Sequence, residues 1–156
     1  MNQCSLAKQS RPSWDDMFLG MLNNLSQRST CDRGRVACII TKNNRIISTG
    51  YAGSPNGQPH CDEVGHLMTG FIDEQGKQSE HCIRTIHAEV NAIAQAARWG
   101  ISLDGGTLYC TYTPCYSCGK LIVQSGIKRV VSKIMYQTGE MSIKLFQESG
   151  IEFKGE

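Results

Sequence analysis

Long apolar runs are missing from this chain. Nowhere do about 18 consecutive apolar residues occur, so no membrane-spanning helix and no membrane partner are expected. The first thirty residues hold Lys8 and Arg11 among polar neighbours and lack the continuous apolar stretch of a secretory signal. The expectation is a soluble, cytoplasmic protein. A dominant charge is missing too, since 16 Lys and Arg face 14 Asp and Glu for a net charge of +2. Evenly scattered charge and only 7% aromatic residues leave neither a basic groove nor stacking platforms, so no nucleic-acid partner is expected. Repeats, linkers and low-complexity tracts are absent. With 156 residues, 40% hydrophobic and 19% charged, the chain suits a single domain over 1–156 and is too short for two.

Cysteine, by contrast, is abundant. Eight cysteines in a secreted chain suggest disulfides; without a secretory signal they read as metal ligands and buried thiols.

Residues 13–28, SWDDMFLGMLNNLSQR, place Trp14, Met17, Phe18, Met21, Leu22 and Leu25 at helical spacing. Ser13 and Asp16 stand in a capping-box arrangement ahead of them. RVACIIT and RIISTGY flank Asn43 and Asn44, a two-residue turn that tolerates positive φ, and predict a hairpin. From Ala52 to Ile86 the chain is rich in glycine, contains Pro55 and Pro59 and shows little periodicity, so a long inserted loop over 52–86 is expected. Such a loop is too long for a plain connector and needs a reason to be ordered.

HAEVNAIAQAARWG predicts a helix ending at Gly100, TLYCTY a strand, and CYSCGKLIVQSG, preceded by Pro114, a second helix. KRVVSKI, MSIKLFQESG and IEFK follow as strand, helix and strand. Strands alternating with helices imply parallel pairing with right-handed crossovers, which the opening hairpin extends. The predicted fold is an α/β protein: a three-layer α/β/α sandwich around a mixed five-stranded sheet.

In TPCYSC, Cys115 and Cys118 lie three apart at a helix start, where the helix dipole favours thiolate. Alone, that spacing fits a redox pair as well as a metal site. His87 and Glu89 open another helix, and helix beginnings after the strands of an open α/β sheet gather at one edge. His87, Cys115 and Cys118 would give zinc three ligands and leave the fourth position open, as catalytic sites do. Glu89, two residues from His87, does not share its helix face and should address the solvent rather than the metal. HAE followed by PCxxC is the H-x-E…P-C-x-x-C signature of zinc-dependent nucleobase deaminases.

With STGYAGSPNGQPHC, CIRTIHAEVNAI and TYTPCYSCGKLIVQSGIKRVV, the chain from about Trp14 to Lys154 resembles the deoxycytidylate (dCMP) deaminases of the zinc-dependent cytidine and deoxycytidylate deaminase superfamily. The resemblance implies hydrolysis of dCMP to dUMP and ammonia, a precursor for thymidylate synthesis, with Glu89 carrying protons beside a zinc on His87, Cys115 and Cys118. The alternatives are another cytosine nucleotide such as dCTP, or a catalytically silent, zinc-stabilised nucleotide-binding protein.

Asn91, one helical turn from His87, is placed to reach sugar or base, with a plain polar helix face as the alternative. Tyr112 and Tyr136 end the strands flanking the CxxC helix, where an aromatic face suits either cytosine or packing. Arg33 and Arg35 are candidates for the 5′-phosphate, because a guanidinium fork fits phosphate oxygens. Some relatives hold a second, structural zinc, and Cys31, Cys61 and Cys82 match it here, with His66 as fourth ligand ahead of His81 or His60. A closed site would order the long loop, contributing on the order of 10 kcal/mol; reduced, buried thiols are the alternative. Cys38 and Cys110 read as core residues and Cys4 as an inert terminal one. The resemblance further implies a homo-oligomer, commonly a hexamer, activated by dCTP and inhibited by dTTP through the loop of Gly50, Tyr51, Gly53, Asn56 and Gly57. Ala52 departs from the Asn usual in that loop, and Arg98 resembles a residue of subunit contacts.

Overall fold

The structure is a computed structural model that describes residues 10–72, 76, 78–136 and 139–155; Cys4 lies outside them. Helix α1 (Trp14–Ser26) starts at Ser13, whose Oγ accepts a hydrogen bond from Asp16 N at 3.1 Å while Asp16 Oδ2 accepts one from Ser13 N. This reciprocal pair satisfies two amides that the first turn leaves without partners. Strands β1 (Ala37–Lys42) and β2 (Arg45–Tyr51) form the hairpin, and Asn43 and Asn44 turn it with φ of 50° and 58°.

Between β2 and the next large helix the structure corrects the expectation of a loop. The segment contains a short helix α2 (Cys61–Val64) and a two-stranded sheet, β3 (Met68–Ile72) paired antiparallel with β4 (Gln78–Cys82). MTGFI and QSEHC lack the alternation that marks a half-buried strand, and the described side chains of this hairpin are mostly exposed. A lone two-stranded hairpin is marginal in water, so its order needs an external anchor.

Helix α3 (Ala88–Trp99), strand β5 (Thr107–Tyr112), helix α4 (Tyr116–Gln124), strand β6 (Arg129–Ile134), helix α5 (Glu140–Glu148) and strand β7 (Glu152–Gly155) complete the chain. The main sheet has the order β2-β1-β5-β6-β7, with β1 antiparallel to β2 and β5, and with β5, β6 and β7 parallel. The mixed five-stranded sheet is as expected.

Strand alternation sorts the side chains into two cores. Cys38, Ile40, Leu108, Cys110 and Val130 face Ala88, Ala92 and Ala96 of α3, Ile122 of α4 and Phe146 of α5. Ala37, Ile39, Tyr109 and Val131 face Phe18, Leu19 and Leu22 of α1. Cys38 and Cys110 pair across β1 and β5 inside the first core, as expected of small apolar residues. The α1 layer is also tied by charge: Asp15 accepts from Arg129 Nη1 and Nη2 at 2.7 and 2.8 Å, from Tyr109 Oη at 2.9 Å and from Lys154 Nζ at 3.2 Å. Among the described residues no helix is long and apolar enough to cross a membrane.

Candidate metal centre and active site

Two helices begin side by side at the sheet edge, and the residues at their N-caps carry chemistry. His87 caps α3 and Cys115 caps α4, both in extended backbone. His87 Nδ1 lies 3.5 Å from Cys115 Sγ and 3.3 Å from Cys118 Sγ, and the three donor atoms all fall within 4.8 Å of one another. Tetrahedral zinc, with bonds of about 2.0 Å to nitrogen and 2.3 Å to sulfur, places such donors about 3.6 Å apart. The donor set therefore fits a zinc ion in both chemistry and spacing. Cys115 and Cys118 are free thiols.

The charges inside the cluster suit a cation. Cys115 is drawn down to about 4, first by the hydrogen bond from Cys118 and then by His87, against the opposing effect of burial. Cys118 is pushed up, because one thiolate beside it is already present and its site is buried. His87 is raised chiefly by its hydrogen bond with Cys115. Glu89 is 8% exposed, and burial raises its carboxyl above the ordinary value, opposed by a backbone hydrogen bond and by His87. A buried carboxyl whose protonated form is favoured in this way is suited to taking and returning a proton.

A second cluster forms in the inserted segment. Cys31 Sγ lies 3.6 Å from His66 Nδ1, Cys61 Sγ lies 3.6 Å from Cys82 Sγ, and all four ligand atoms fall within 4.8 Å of one another. His66, rather than His60 or His81, joins the three cysteines. Asp32, which sequence reasoning missed, meets His66 Nε2 at 3.0 Å and orients the ring, as carboxylates behind metal-ligating histidines do. Burial pushes Cys61 up to about 12. Cys82 is also raised by burial, but backbone N–H groups of Arg84 and Leu67 overcome this and bring it down to about 6. The four donors meet the same zinc spacing test as the first three.

The remaining candidates divide. Asn91 Nδ2 donates to the carbonyl of Tyr51 at 2.8 Å. Tyr112 and Tyr136 form an edge-to-face pair with centroids 6.1 Å apart, and both are exposed. Arg33 donates to the Glu80 carbonyl of β4 at 3.0 Å, and Arg35 lines a cavity of about 250 Å³ with Thr30, Asp62 and the second cluster's Cys61 and His66. Both arginines thus lie toward the second cluster. Arg98 stacks its guanidinium 5.8 Å over the Trp99 ring.

In the glycine-rich segment, Gly53 bridges Ile86, the residue before His87, through Ile86 N to Gly53 O at 3.0 Å. Ala52 is buried, donating to Val36 O and accepting from Thr30 N. Gly57 takes a φ of 80°, Asn56 is exposed, and Gly50 lies flush against α3. Ser48, a second residue without a sequence signal, donates its buried hydroxyl to Ala92 O at 2.7 Å.

An α/β/α sandwich with soft and borderline ligands at the caps of two helices and in the first turn of one, and a buried carboxylate in the first turn of the other, defines a metal-dependent hydrolase. Residues 12–134 match the cytidine and deoxycytidylate deaminase zinc-binding region, and the chain belongs to that family of zinc-binding deaminases. It is 41% identical over 141 residues to ComE operon protein 2 of Bacillus subtilis, covering 90% of this chain and 70% of that protein. It is 36% identical over 144 residues to the deoxycytidylate deaminase of Schizosaccharomyces pombe, covering 92% of this chain but only 44% of the yeast protein. Among solved structures, the dCMP deaminase of cyanophage S-TIM5 in complex with dCMP and dUMP superposes with a TM-score of 0.73 at 30% identity, covering 95% of this chain and all of that one.

Proposed function

We propose that the protein deaminates dCMP hydrolytically to dUMP and ammonia. The observation that carries this reading is the His87, Cys115 and Cys118 donor set at zinc spacing with the buried Glu89 carboxylate behind it. His87, Cys115 and Cys118 would hold a zinc ion, which would supply a Lewis acid that makes water acidic near neutral pH. Glu89 Oε takes the proton of the attacking water as it approaches cytosine C4. The same carboxyl gives that proton to N3, then carries the remaining proton of the added hydroxyl to the amine nitrogen, so that the C4–N bond breaks, ammonia leaves and the C4 carbonyl forms. Its burial keeps bulk water from competing for that proton, and the N-terminal ends of α3 and α4 favour the thiolates.

The second cluster serves as a closed structural zinc site, giving two zinc ions per chain. It ties Cys31, before β1, to α2 and to the end of β4, which supplies the anchor that the hairpin needs. Thiol ligands of both clusters require a reducing compartment, which suits the cytoplasm. The glycine-rich segment, bridged directly to the residue before His87, supports control by dCTP and dTTP, and the family resemblance supports hexameric assembly.

Turnover of dCMP, deoxycytidine and dCTP by the zinc-loaded protein, followed by ammonia release, tests the reading, with dCMP expected to lead. Glu89→Gln should keep its zinc and lose at least 10²–10⁴-fold in kcat, the usual worth of a positioned proton carrier. Wild-type turnover in that variant, or no release of ammonia from dCMP, rules the mechanism out.

A further inference from the structure

Strand β2 grips the first turns of α3 through contacts that the proposed chemistry does not use. Ser48 reaches from strand to helix and donates to Ala92 O at 2.7 Å, while Asn91 reaches from helix to strand and donates to Tyr51 O at 2.8 Å. Between them Gly50 presents bare backbone to the helix. Two hydrogen bonds running in opposite directions across one tightly packed seam resist both sliding and rotation of the helix.

We propose that Asn91 is a positioning residue for the deamination proposed above: it holds the catalytic turn against β2 rather than meeting the nucleotide. Its backbone N–H closes the first helical turn on His87 O at 2.9 Å, so Asn91 sits one turn from the ligand and two residues from Glu89. Its amide nitrogen is committed to the last carbonyl of β2, the edge strand, where the sheet offers no neighbour on the outer side. From Tyr51 the chain runs directly into Ala52 and Gly53, and Gly53 bridges back to Ile86. Asn91 therefore closes a short circuit, from His87 along the helix to residue 91, across to residue 51 and back through residues 53 and 86. Breaking that circuit loosens the first turn of α3 and with it the aim of the Glu89 carboxylate.

Asn91→Asp separates positioning from ligand contact, since it keeps an acceptor of the same size and loses the donor. Positioning predicts that Asn91→Asp and Asn91→Ala lose kcat alike, by about tenfold or more, with KM for dCMP within about twofold of wild type and zinc retained. Wild-type kcat in Asn91→Asp, or a raised KM with unchanged kcat in Asn91→Ala, overturns the proposal in favour of nucleotide contact. Backbone hydrogen exchange gives a readout that does not depend on the substrate: amides of residues 51–53 and 88–92 should exchange faster in Asn91→Ala, and unchanged exchange also overturns it. Ser48→Ala is the milder cut and should loosen the amides of 88–92; unaltered exchange there counts against the seam. Failure of the wild type to deaminate dCMP would refute the function and leave exchange to judge Asn91.

Discussion

Replacing Gly50 with alanine should disable the site without touching any group that does chemistry. A β-carbon at residue 50 would stand 2.5 Å from Ala92 N, 3.1 Å from Ala92 Cα, and closer still to the Ala88 carbonyl oxygen. Ordinary contact needs about 3.5 Å, so α3 must retreat by about 1 Å. Ala88 lies between His87 and Glu89, so both follow the retreat, while Cys115 and Cys118 belong to α4 and stay. Donor separations of 3.3 and 3.5 Å then lengthen, and the Glu89 carboxylate moves away from them with the helix. A misplacement of about 1 Å costs on the order of 10²-fold in rate. Overpacking of this kind also costs about 1–3 kcal/mol, or about 2–12 °C in Tm for a chain of this size. Initial rates at saturating dCMP, zinc content and thermal unfolding read all three effects. Gly20 provides the control, because a β-carbon there meets nothing within 4 Å. In the interior of α1, Gly20→Ala should gain up to about 1 kcal/mol and leave kcat alone. Wild-type kcat and Tm in Gly50→Ala would show that the seam between β2 and α3 gives way at no cost, and would refute the argument.

Cys61→Ser should reduce bound zinc from two ions per chain to one and lower Tm, with elemental analysis and unfolding as readouts; a single ion in the active wild type removes the second site. Asp15→Asn, which takes the charge from the acceptor of Arg129, Lys154 and Tyr109, should cost about 1.5–3 kcal/mol at pH 7, the range for hydrogen bonds to a charged group. Arg129 above all holds the Asp15 carboxyl well below the ordinary range. Its contribution is therefore complete above the unfolded value of about 3.9 and declines as the pH falls toward the lower folded value. The stability gap between wild type and Asp15→Asn should stay level from pH 7 to 5 and shrink below about pH 4; a gap that persists undiminished at pH 3 contradicts this assignment.

What the sequence made legible and what it hid follow a physical division. Helices and strands of the main sheet show through because each buries a regular face, and the periods of Phe18 to Leu25 and of Cys38 to Ile40 report those faces directly. Asn43 and Asn44 show through because few residues tolerate their φ values. The His87, Glu89 and CxxC pattern is readable because helix starts fix the spacing locally, leaving only two segments to be brought together. The second cluster draws its residues from four separate places between residues 31 and 82, and the hairpin beside it has mostly exposed side chains rather than a buried face, so no period announces β3 or β4. Polar side chains bound to distant carbonyls were the least legible: Asn91 and Arg33, expected at the nucleotide, donate to the backbone of Tyr51 and Glu80, forty and forty-seven residues away. A carbonyl acceptor has no side-chain signature, so any residue can supply it and none advertises it. Gly50 hides for the complementary reason, since its part is to leave room, and a glycine in a strand otherwise reads as a weak strand residue. Reactive groups can thus be read from residue type, whereas the contacts that hold Glu89 in place run through backbone atoms, which makes substitutions at Gly50 and Asn91 sharper tests of the site than further changes among its ligands.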